Sequence, residues 1–240
     1  MSFAHSLLIG RGFFVTGTDT GVGKTLVACA LLHAARAQGK TAIGMKPVAS
    51  GCVETADGLV SEDANLLRAA SSQRTAMRLI NPYAFGLAIA PHIAARDHGI
   101  EIELDRIVTA YSELAKNCEL VIVEGVGGFR VPLNEREDTA DLAARLELPV
   151  VLVVGMRLGC LNHALLTVEA IAARGLKLAG WVANQIEAAM PALAENVVTL
   201  EQRIAQRCLG VIEFDRRVEP QALARRLDSF KTLLKPTGVC

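Results

Sequence analysis

Apolar and polar positions follow two alternating patterns along the chain. Short, almost continuous apolar runs predict strands at residues 13–16, 41–46, 120–124, 150–154, 179–183 and 209–212. Longer segments with apolar residues three and four positions apart predict helices at residues 25–38, 63–70, 104–116, 139–146, 161–174, 193–207 and 221–234. Gly39 and Gly175 follow two of these helices, where a helix stop is expected.

The order of these elements predicts an α/β fold. Alternating strands and helices favour a mostly parallel sheet with helices on both faces, and strands that are apolar throughout are expected when both faces are covered. A length of 240 residues fits one domain better than two. We therefore expect a short N-terminal lead-in at residues 1–12, which lacks the features of a signal peptide, and a single domain at residues 13–240. Residues 47–58 are predicted to form a long loop.

Composition removes several functional classes. The 25 basic and 25 acidic residues balance, so nothing indicates nucleic acid or an anionic membrane as a partner. No apolar run approaches the roughly 18 residues that a membrane-spanning helix needs. None of the six cysteines forms a CxxC pair, and we expect reduced thiols in a cytoplasmic protein.

A glycine-rich segment joins the first strand to the first helix, and its sequence is Gly17-Thr-Asp-Thr-Gly-Val-Gly-Lys-Thr25. This context is the one that a phosphate-binding P-loop requires, because main-chain N–H groups at a helix N-terminus attract phosphate. Lys24 is placed to reach the terminal phosphates and Thr25 to ligate Mg²⁺. Five residues separate Gly17 from Gly23, one more than in the common pattern. A glycine-rich turn without a ligand is the alternative.

Dimeric partitioning ATPases are one neighbouring class that the P-loop allows us to test. They carry an additional lysine five residues before the P-loop lysine, and this position is Asp19 here. A carboxylate cannot neutralise phosphate charge, so the sequence disfavours this class.

Polar side chains stand at the predicted strand ends, where open α/β sheets bind ligands. Lys46 ends the second strand, which we expect to lie beside the phosphate-loop strand; Glu124 ends the third, and Asn184 follows the fifth. Lys46 could instead extend to solvent, and Glu124 could be an incidental edge carboxylate. Asp63, at a predicted helix start, could serve only as a helix cap.

These motifs and several further stretches occur in the same order as in one known family. They are residues 14–25, Lys46-Pro-Val-Ala-Ser-Gly51, Asn81-Pro-Tyr83, Pro91-His92, Val123-Glu-Gly-Val-Gly-Gly128, residues 153–163 and Gly180-Trp-Val-Ala-Asn184. Together they resemble the dethiobiotin synthetase family over residues 13–184, including the longer glycine spacing. The resemblance implies an ATP-dependent cyclo-ligase of biotin biosynthesis that converts 7,8-diaminopelargonic acid, CO₂ and ATP into dethiobiotin, ADP and phosphate.

The same resemblance implies roles for individual residues. Lys24 and Lys46 would be catalytic, and Thr25, Asp63 and Glu124 would hold Mg²⁺. The nucleotide would contact Gly21, Val22, Gly23, Lys24, Thr25, Leu26, Asp63, Glu124, Gly125, Val126, Gly127, Asn184, Gln185, Glu213 and Phe214. The substrate would contact Thr20, Ser50, Gly159, Cys160 and Asn162, the last three from a loop of the partner in a homodimer. Family members usually have Pro where this chain has Glu213, next to the expected adenine site.

Two other functions share the phosphate loop. Carboxylate-amidating enzymes of the cobyrinate type need a glutaminase domain, for which the chain after residue 184 is too short. A non-enzymatic nucleotide switch or partitioning protein is disfavoured by Asp19 and by the lack of a basic surface run. Diamine-dependent phosphate release would distinguish a synthetase from both.

Overall fold

The computed structural model describes residues 11–56, 58–215 and 217–234. The strands are β1 (Gly12–Gly17), β2 (Ala42–Met45), β3 (Val48–Ser50), β4 (Val53–Thr55), β5 (Gly58–Val60), β6 (Tyr83–Phe85), β7 (Leu120–Glu124), β8 (Val150–Met156), β9 (Leu178–Gln185) and β10 (Cys208–Ile212). The helices are α1 (Lys24–Ala37), α2 (Glu62–Ala70), α3 (Met77–Ile80), α4 (Pro91–Asp97), α5 (Leu104–Ala115), α6 (Thr139–Leu146), α7 (Cys160–Ala173), α8 (Leu193–Arg203), α9 (Pro220–Arg226) and α10 (Asp228–Leu233).

Six strands form a central parallel sheet in the order β10-β9-β8-β1-β7-β2. This arrangement confirms the predicted α/β class with a mostly parallel sheet. The prediction that the strand before Lys46 lies beside β1 was wrong, however, because β7 lies between β1 and β2. The strand that ends at Glu124 is therefore the one beside the phosphate-loop strand, and Lys46 approaches from one strand further away.

Successive residues of the central strands supply two separate cores. Phe14, Val123 and Leu152 point into one core, whereas their neighbours Val15 and Ile122 point into the other, where α1 packs. All of these side chains are fully buried. Because side chains alternate across a strand, helices on both faces are needed to cover them, which explains the continuous apolar runs.

The structure corrects several predicted boundaries. Residues 47–58 are not one long loop: β3 pairs in parallel with β6, and β4 pairs with β5 in an antiparallel hairpin, so this backbone satisfies its own polar groups. The predicted helix at 221–234 is two helices that meet at Leu227. The helix predicted at 193–207 ends at Arg203, before the extended Ile204.

The chain ends fall partly outside the described residues. Residues 1–10 of the predicted lead-in and residues 235–240 of the predicted domain belong to that part, and β1 begins at Gly12. Among the described helices, none combines the length and the apolar character needed to cross a membrane.

Candidate active site

The phosphate loop adopts a conformation that depends on its glycines. Gly21 and Gly23 have φ of 74° and 91°, in the left-handed region that favours glycine. A Cβ added at Gly23 would lie 2.3 Å from Nδ2 of Asn184, so a larger residue there would displace the Asn184 side chain. That same Nδ2 donates a hydrogen bond of 2.8 Å to the main-chain oxygen of Val22. Asn184, near the end of β9, thus holds the phosphate loop in place through this hydrogen bond.

Lys24 is the first residue of α1, and its ammonium folds back over the loop. Nζ donates a hydrogen bond of 2.8 Å to the main-chain oxygen of Asp19. The residue is only 6% exposed. Burial, together with the nearby positive charge of Lys46, lowers the pKa of Lys24 from 10.5 to about 8. The loop therefore presents a desolvated cation that lacks a fully compensating anion.

Four side chains from different elements converge next to the loop. The Lys46 Nζ lies 2.6 Å from Oε1 of Glu124 and 2.8 Å from Oδ2 of Asp63. The Thr25 Oγ1 lies 2.9 Å from Oδ1 of Asp63 and 2.9 Å from Oε1 of Glu124. We call Thr25, Lys46, Asp63 and Glu124 the carboxylate cluster. Lys46 does not extend to solvent, since it is only 4% exposed.

The electrostatics of the carboxylate cluster follow from burial and from charge pairing. Burial acts to lower the pKa of Lys46, but the two carboxylates outweigh it and raise that pKa. Burial acts to raise the pKa of Asp63, but the Lys46 ammonium outweighs it and lowers that pKa. Burial raises the pKa of Glu124, and the nearby Lys46 ammonium opposes this effect. Lys46 is therefore a charged ammonium between the carboxyl groups of Asp63 and Glu124.

The cluster fits a hard cation. Thr25 has one hydroxyl hydrogen for the two carboxylate oxygens next to it, so the three oxygens are short of donors. The Glu124 Oε2 is buried and has no hydrogen-bond partner among the described residues. Mg²⁺ characteristically takes one or two carboxylates, and completes its shell with phosphate oxygens and water. The oxygens of Thr25, Asp63 and Glu124 are the ones that would hold it.

Asp63 is free to join the cluster because another residue caps its helix. Ser61 is the N-cap of α2, and its hydroxyl accepts a hydrogen bond of 3.3 Å from the N–H of Ala64. The alternative in which Asp63 serves only as a cap is therefore wrong. Its carboxylate instead contacts Lys46 and Thr25.

A cavity of about 710 Å³ opens over the phosphate loop and the cluster. The predicted site residues that line it are Thr20, Gly21, Gly23, Lys24, Thr25, Lys46, Ser50, Asp63, Glu124, Val126 and Gly127. The Ser50 Oγ is buried, with no hydrogen-bond partner among the described residues, and so is available to a ligand. Several lining residues were not predicted from the sequence: Asp19, Ala49, Ala88, Ile89, Ala90, Pro91, Gly128 and Val131.

Other predicted residues lie around this cavity without lining it. Val22, within the loop, is buried in the core, and Leu26 of α1 packs against the same core. Gly125 donates its N–H to the main-chain oxygen of Val15, and its own oxygen lies 3.3 Å from Lys46 Nζ. The remaining predicted residues form two groups away from the cavity.

The first of these groups lies beyond β9 and β10. The Phe214 N–H donates a hydrogen bond of 3.3 Å to Oε1 of Gln185, while Glu213 is exposed. Gln185 follows Asn184 in the chain, and β9 and β10 lie on the side of β1 away from β2, which precedes Lys46.

The second group belongs to α7. The predicted Gly-Cys-Leu-Asn loop is in fact a helix start, with Gly159 as N-cap and Cys160 as first residue. Cys160 is buried, whereas Asn162 is exposed. Gly159, Cys160 and Asn162 therefore do not reach the cavity of their own chain.

Two supports of the site were missed by the sequence analysis. Asn81 Nδ2 donates hydrogen bonds to the main-chain oxygens of Lys46 (2.7 Å) and Tyr83 (2.9 Å), and so fixes the backbone that bears Lys46. Arg157 pairs with Asp19, with 2.7 Å between Nη2 and Oδ2, and joins the β8–α7 turn to the phosphate loop. Both residues lie in stretches that carried the family resemblance, which was the one signal available for them.

Comparisons with known proteins show the family of the chain. A family model described as "AAA domain" matches residues 11–222. The ATP-dependent dethiobiotin synthetase BioD of Aromatoleum aromaticum is 56% identical over 217 residues, or 90% of this chain and 96% of the relative. The protein of the same name from Pseudomonas aeruginosa is 51% identical over 228 residues, or 95% of this chain and 98% of the relative.

Solved structures show the fold alone. The MinC:MinD cell division protein complex of Aquifex aeolicus matches with a TM-score of 0.59 at 12% identity, covering 96% of this chain and 99% of the other. A ParA family ATPase from Chlorobium tepidum matches with a TM-score of 0.50 at 15% identity, covering 97% and 94%. By contrast, the two dethiobiotin synthetases share more than half of their residues with this chain over nearly its whole length, which shows a common family as well as a common fold. The chain belongs to the family of ATP-dependent dethiobiotin synthetases.

Proposed function

We propose that this chain binds ATP and Mg²⁺, carboxylates 7,8-diaminopelargonic acid with CO₂, and closes the ureido ring of dethiobiotin with release of ADP and phosphate. One observation supports this most: a phosphate loop, two lysines, two carboxylates and an unpartnered serine hydroxyl share one cavity. Such a set suits a reaction in which a phosphoryl group meets a second anion. The work of the protein is then mainly positioning and charge neutralisation.

The nucleotide half of the site uses the phosphate loop. Residues Gly21 to Leu26 wrap the phosphates, and the ammonium of Lys24 turns from Asp19 to the terminal phosphates. Thr25, Asp63 and Glu124 would hold Mg²⁺, which would supply neutralisation of the phosphate charge. Val126 and Gly127 line the same cavity, and Gly125 lies next to them in the chain. Asn184, Gln185, Glu213 and Phe214 flank the adenine, and the hydrogen bond that joins Phe214 to Gln185 supports this assignment.

The substrate half of the site lies on the far side of Lys46. One amine of the diamine captures CO₂ as a carbamate, whose oxygen attacks the γ-phosphorus to give a carbamic-phosphoric anhydride and ADP. The second amine then attacks the carbamoyl carbon, closes the ring and releases phosphate. Thr20 and Ser50 orient the diamine end and the carbamate, and the ammoniums of Lys24 and Lys46 stabilise the charge that moves between the two anions.

We also propose a homodimer in which each α7 start completes the site of the partner. Leu158 is 100% exposed and Leu166 on the same segment is 56% exposed, which is unfavourable unless another surface covers them. The N–H groups at a helix start attract a carboxylate. The starts formed by Gly159, Cys160 and Asn162 thus suit the carboxylate tail of the substrate. Leu158→Asp should give a monomer by light scattering and raise the KM for the diamine; a monomeric wild type would overturn the dimer.

The five described cysteines are free thiols, which supports the proposal of a cytoplasmic protein.

The reaction is tested by incubating the purified chain with 7,8-diaminopelargonic acid, bicarbonate and MgATP. We expect dethiobiotin by mass spectrometry and one phosphate released per dethiobiotin, with both dependent on the diamine. Lys24→Ala is the matched control. Its rate should be lower than that of the wild type by a factor of roughly 10²–10³, while the chain remains folded. Phosphate release that does not depend on the diamine would refute the proposed function.

A further inference from the structure

Lys46 and a metal ion require the same two carboxylates. The Lys46 ammonium lies within hydrogen-bond distance of Glu124 Oε1 and Asp63 Oδ2, which belong to the two carboxylates of the candidate metal site. The same Glu124 oxygen is 2.9 Å from Thr25 Oγ1, the third oxygen of that site. An ammonium and a divalent cation held by the same two carboxylates repel each other strongly, because Lys46 and Glu124 are buried and solvent screening between them is weak.

The ammonium accounts for the stability of the cluster when no metal is bound. Glu124 is 1% exposed, and two carboxylates brought together in such a pocket would repel each other without a cation. Among the described residues, Lys46 is the cation that contacts both of them. Lys46 therefore occupies the position of a counter-ion.

Only the side chain of Lys46 is free to leave. Its main-chain N–H donates to Ile80 and its main-chain oxygen accepts from Asn81, so the backbone is fixed on both sides. The four-carbon stem, by contrast, has several rotatable bonds, and it borders the cavity that also contains Ser50. A rotation of the stem can move the ammonium into this cavity while β2 stays in place.

We propose that the Lys46 ammonium is an exchangeable counter-ion: it neutralises Asp63 and Glu124 in the metal-free protein, and leaves them for the reacting anions when a divalent metal ion takes the carboxylates. The destination of the ammonium rests on the proposed function, whereas the exchange itself does not. The exchange imposes an order, because Lys46 becomes available to the carbamate only after the metal and nucleotide are in place. Metal-free enzyme would hold Lys46 away from the substrate.

The first test measures binding of Mg²⁺ alone, by titration calorimetry without nucleotide. Lys46→Met keeps an apolar stem of similar length and removes the competing charge. It should bind Mg²⁺ at least about tenfold more tightly than wild type, as expected for loss of a unit charge at such short range. Lys177→Met is the matched control: it removes one exposed lysine outside the cluster and should bind Mg²⁺ as wild type does.

The second test follows Lys46 in the wild-type protein, and remains decisive if Lys46→Met fails to fold. In ¹H–¹⁵N spectra of the lysine ammonium groups, the buried, paired Lys46 should give a distinct signal in metal-free protein. MgADP should shift or remove this signal, whereas ADP with a chelator should leave it in place. Equal Mg²⁺ affinity in Lys46→Met and wild type, or a Lys46 signal unchanged at saturating MgADP, would overturn the exchange. Neither test requires turnover. The exchange can therefore fail although the chain makes dethiobiotin, and it can hold although the chain makes none.

Discussion

Replacing the phosphate-loop lysine by methionine should stabilise the nucleotide-free protein while it abolishes activity. Lys24 is buried, and its pKa falls from 10.5 to about 8 because burial and Lys46 disfavour its charge. Each pKa unit corresponds to about 1.36 kcal/mol, so the charged ammonium destabilises the fold by about 3 kcal/mol at neutral pH. Lys24→Met removes this penalty and also the hydrogen bond to Asp19, which is worth about 1 kcal/mol.

The net expectation is a gain of about 2 kcal/mol in the free energy of unfolding, or about 4–8 °C in Tm for a chain of this size. The pH dependence has a definite sign. Below the folded-state pKa of about 8, Lys24 is protonated in both folded and unfolded chains, and the penalty is complete. As the pH rises from about 8 towards 10.5, the folded chain loses this proton first, so the wild type becomes more stable relative to Lys24→Met.

The assay is urea unfolding of both proteins without nucleotide, at pH 7 and at the highest pH at which both fold reversibly. The difference in unfolding free energy should favour Lys24→Met at pH 7 and shrink as the pH rises. Saturating ADP should stabilise the wild type and have little effect on the variant. A variant less stable than wild type at pH 7, or a difference that stays constant with pH, would refute the reasoning.

Three further predictions concern neighbouring contacts. Glu124→Gln should raise the Mg²⁺ concentration for half-maximal rate, because a neutral amide is a poorer ligand than a carboxylate; an unchanged Mg²⁺ titration would remove Glu124 from the metal site. Asn184→Ala should cost about 1–3 kcal/mol in urea unfolding and weaken ADP binding, because the Val22 oxygen loses its donor; wild-type values for both would contradict this. Arg157→Met should change the unfolding free energy by less than about 1 kcal/mol, since its ion pair with Asp19 is partly exposed, and a larger loss in urea unfolding would contradict that view.

The sequence predicted those parts of the site that are local in the chain. The phosphate loop, its two left-handed glycines and Lys24 lie within nine consecutive residues between a strand and a helix, so one short pattern specifies them. Lys46 and Glu124 were found because parallel strands deliver their last residues to one edge. Their roles in the reaction remain predictions.

The sequence could not predict how the distant parts meet. Every central strand is apolar on both faces, so the pattern carries no information on strand order, and the position of β7 between β1 and β2 was missed. The pairing of Lys46 with both carboxylates depends on that order. Strands β3 to β6 are three residues each, too short to show an alternating pattern, and the amide of Asn81 acts through main-chain atoms that a sequence does not display.

The insertion of β7 also bears on how the enzyme folds. Contacts that complete the site join residues far apart in the chain: 78 positions separate Lys46 from Glu124, and 99 separate Thr25 from Glu124. Closing such long loops is entropically costly and slow compared with forming the local phosphate loop. The phosphate loop is therefore synthesised well before β7, and the full cluster can form only once β7 lies between β1 and β2. ATP is accordingly expected to stabilise the assembled sheet more than early folding intermediates.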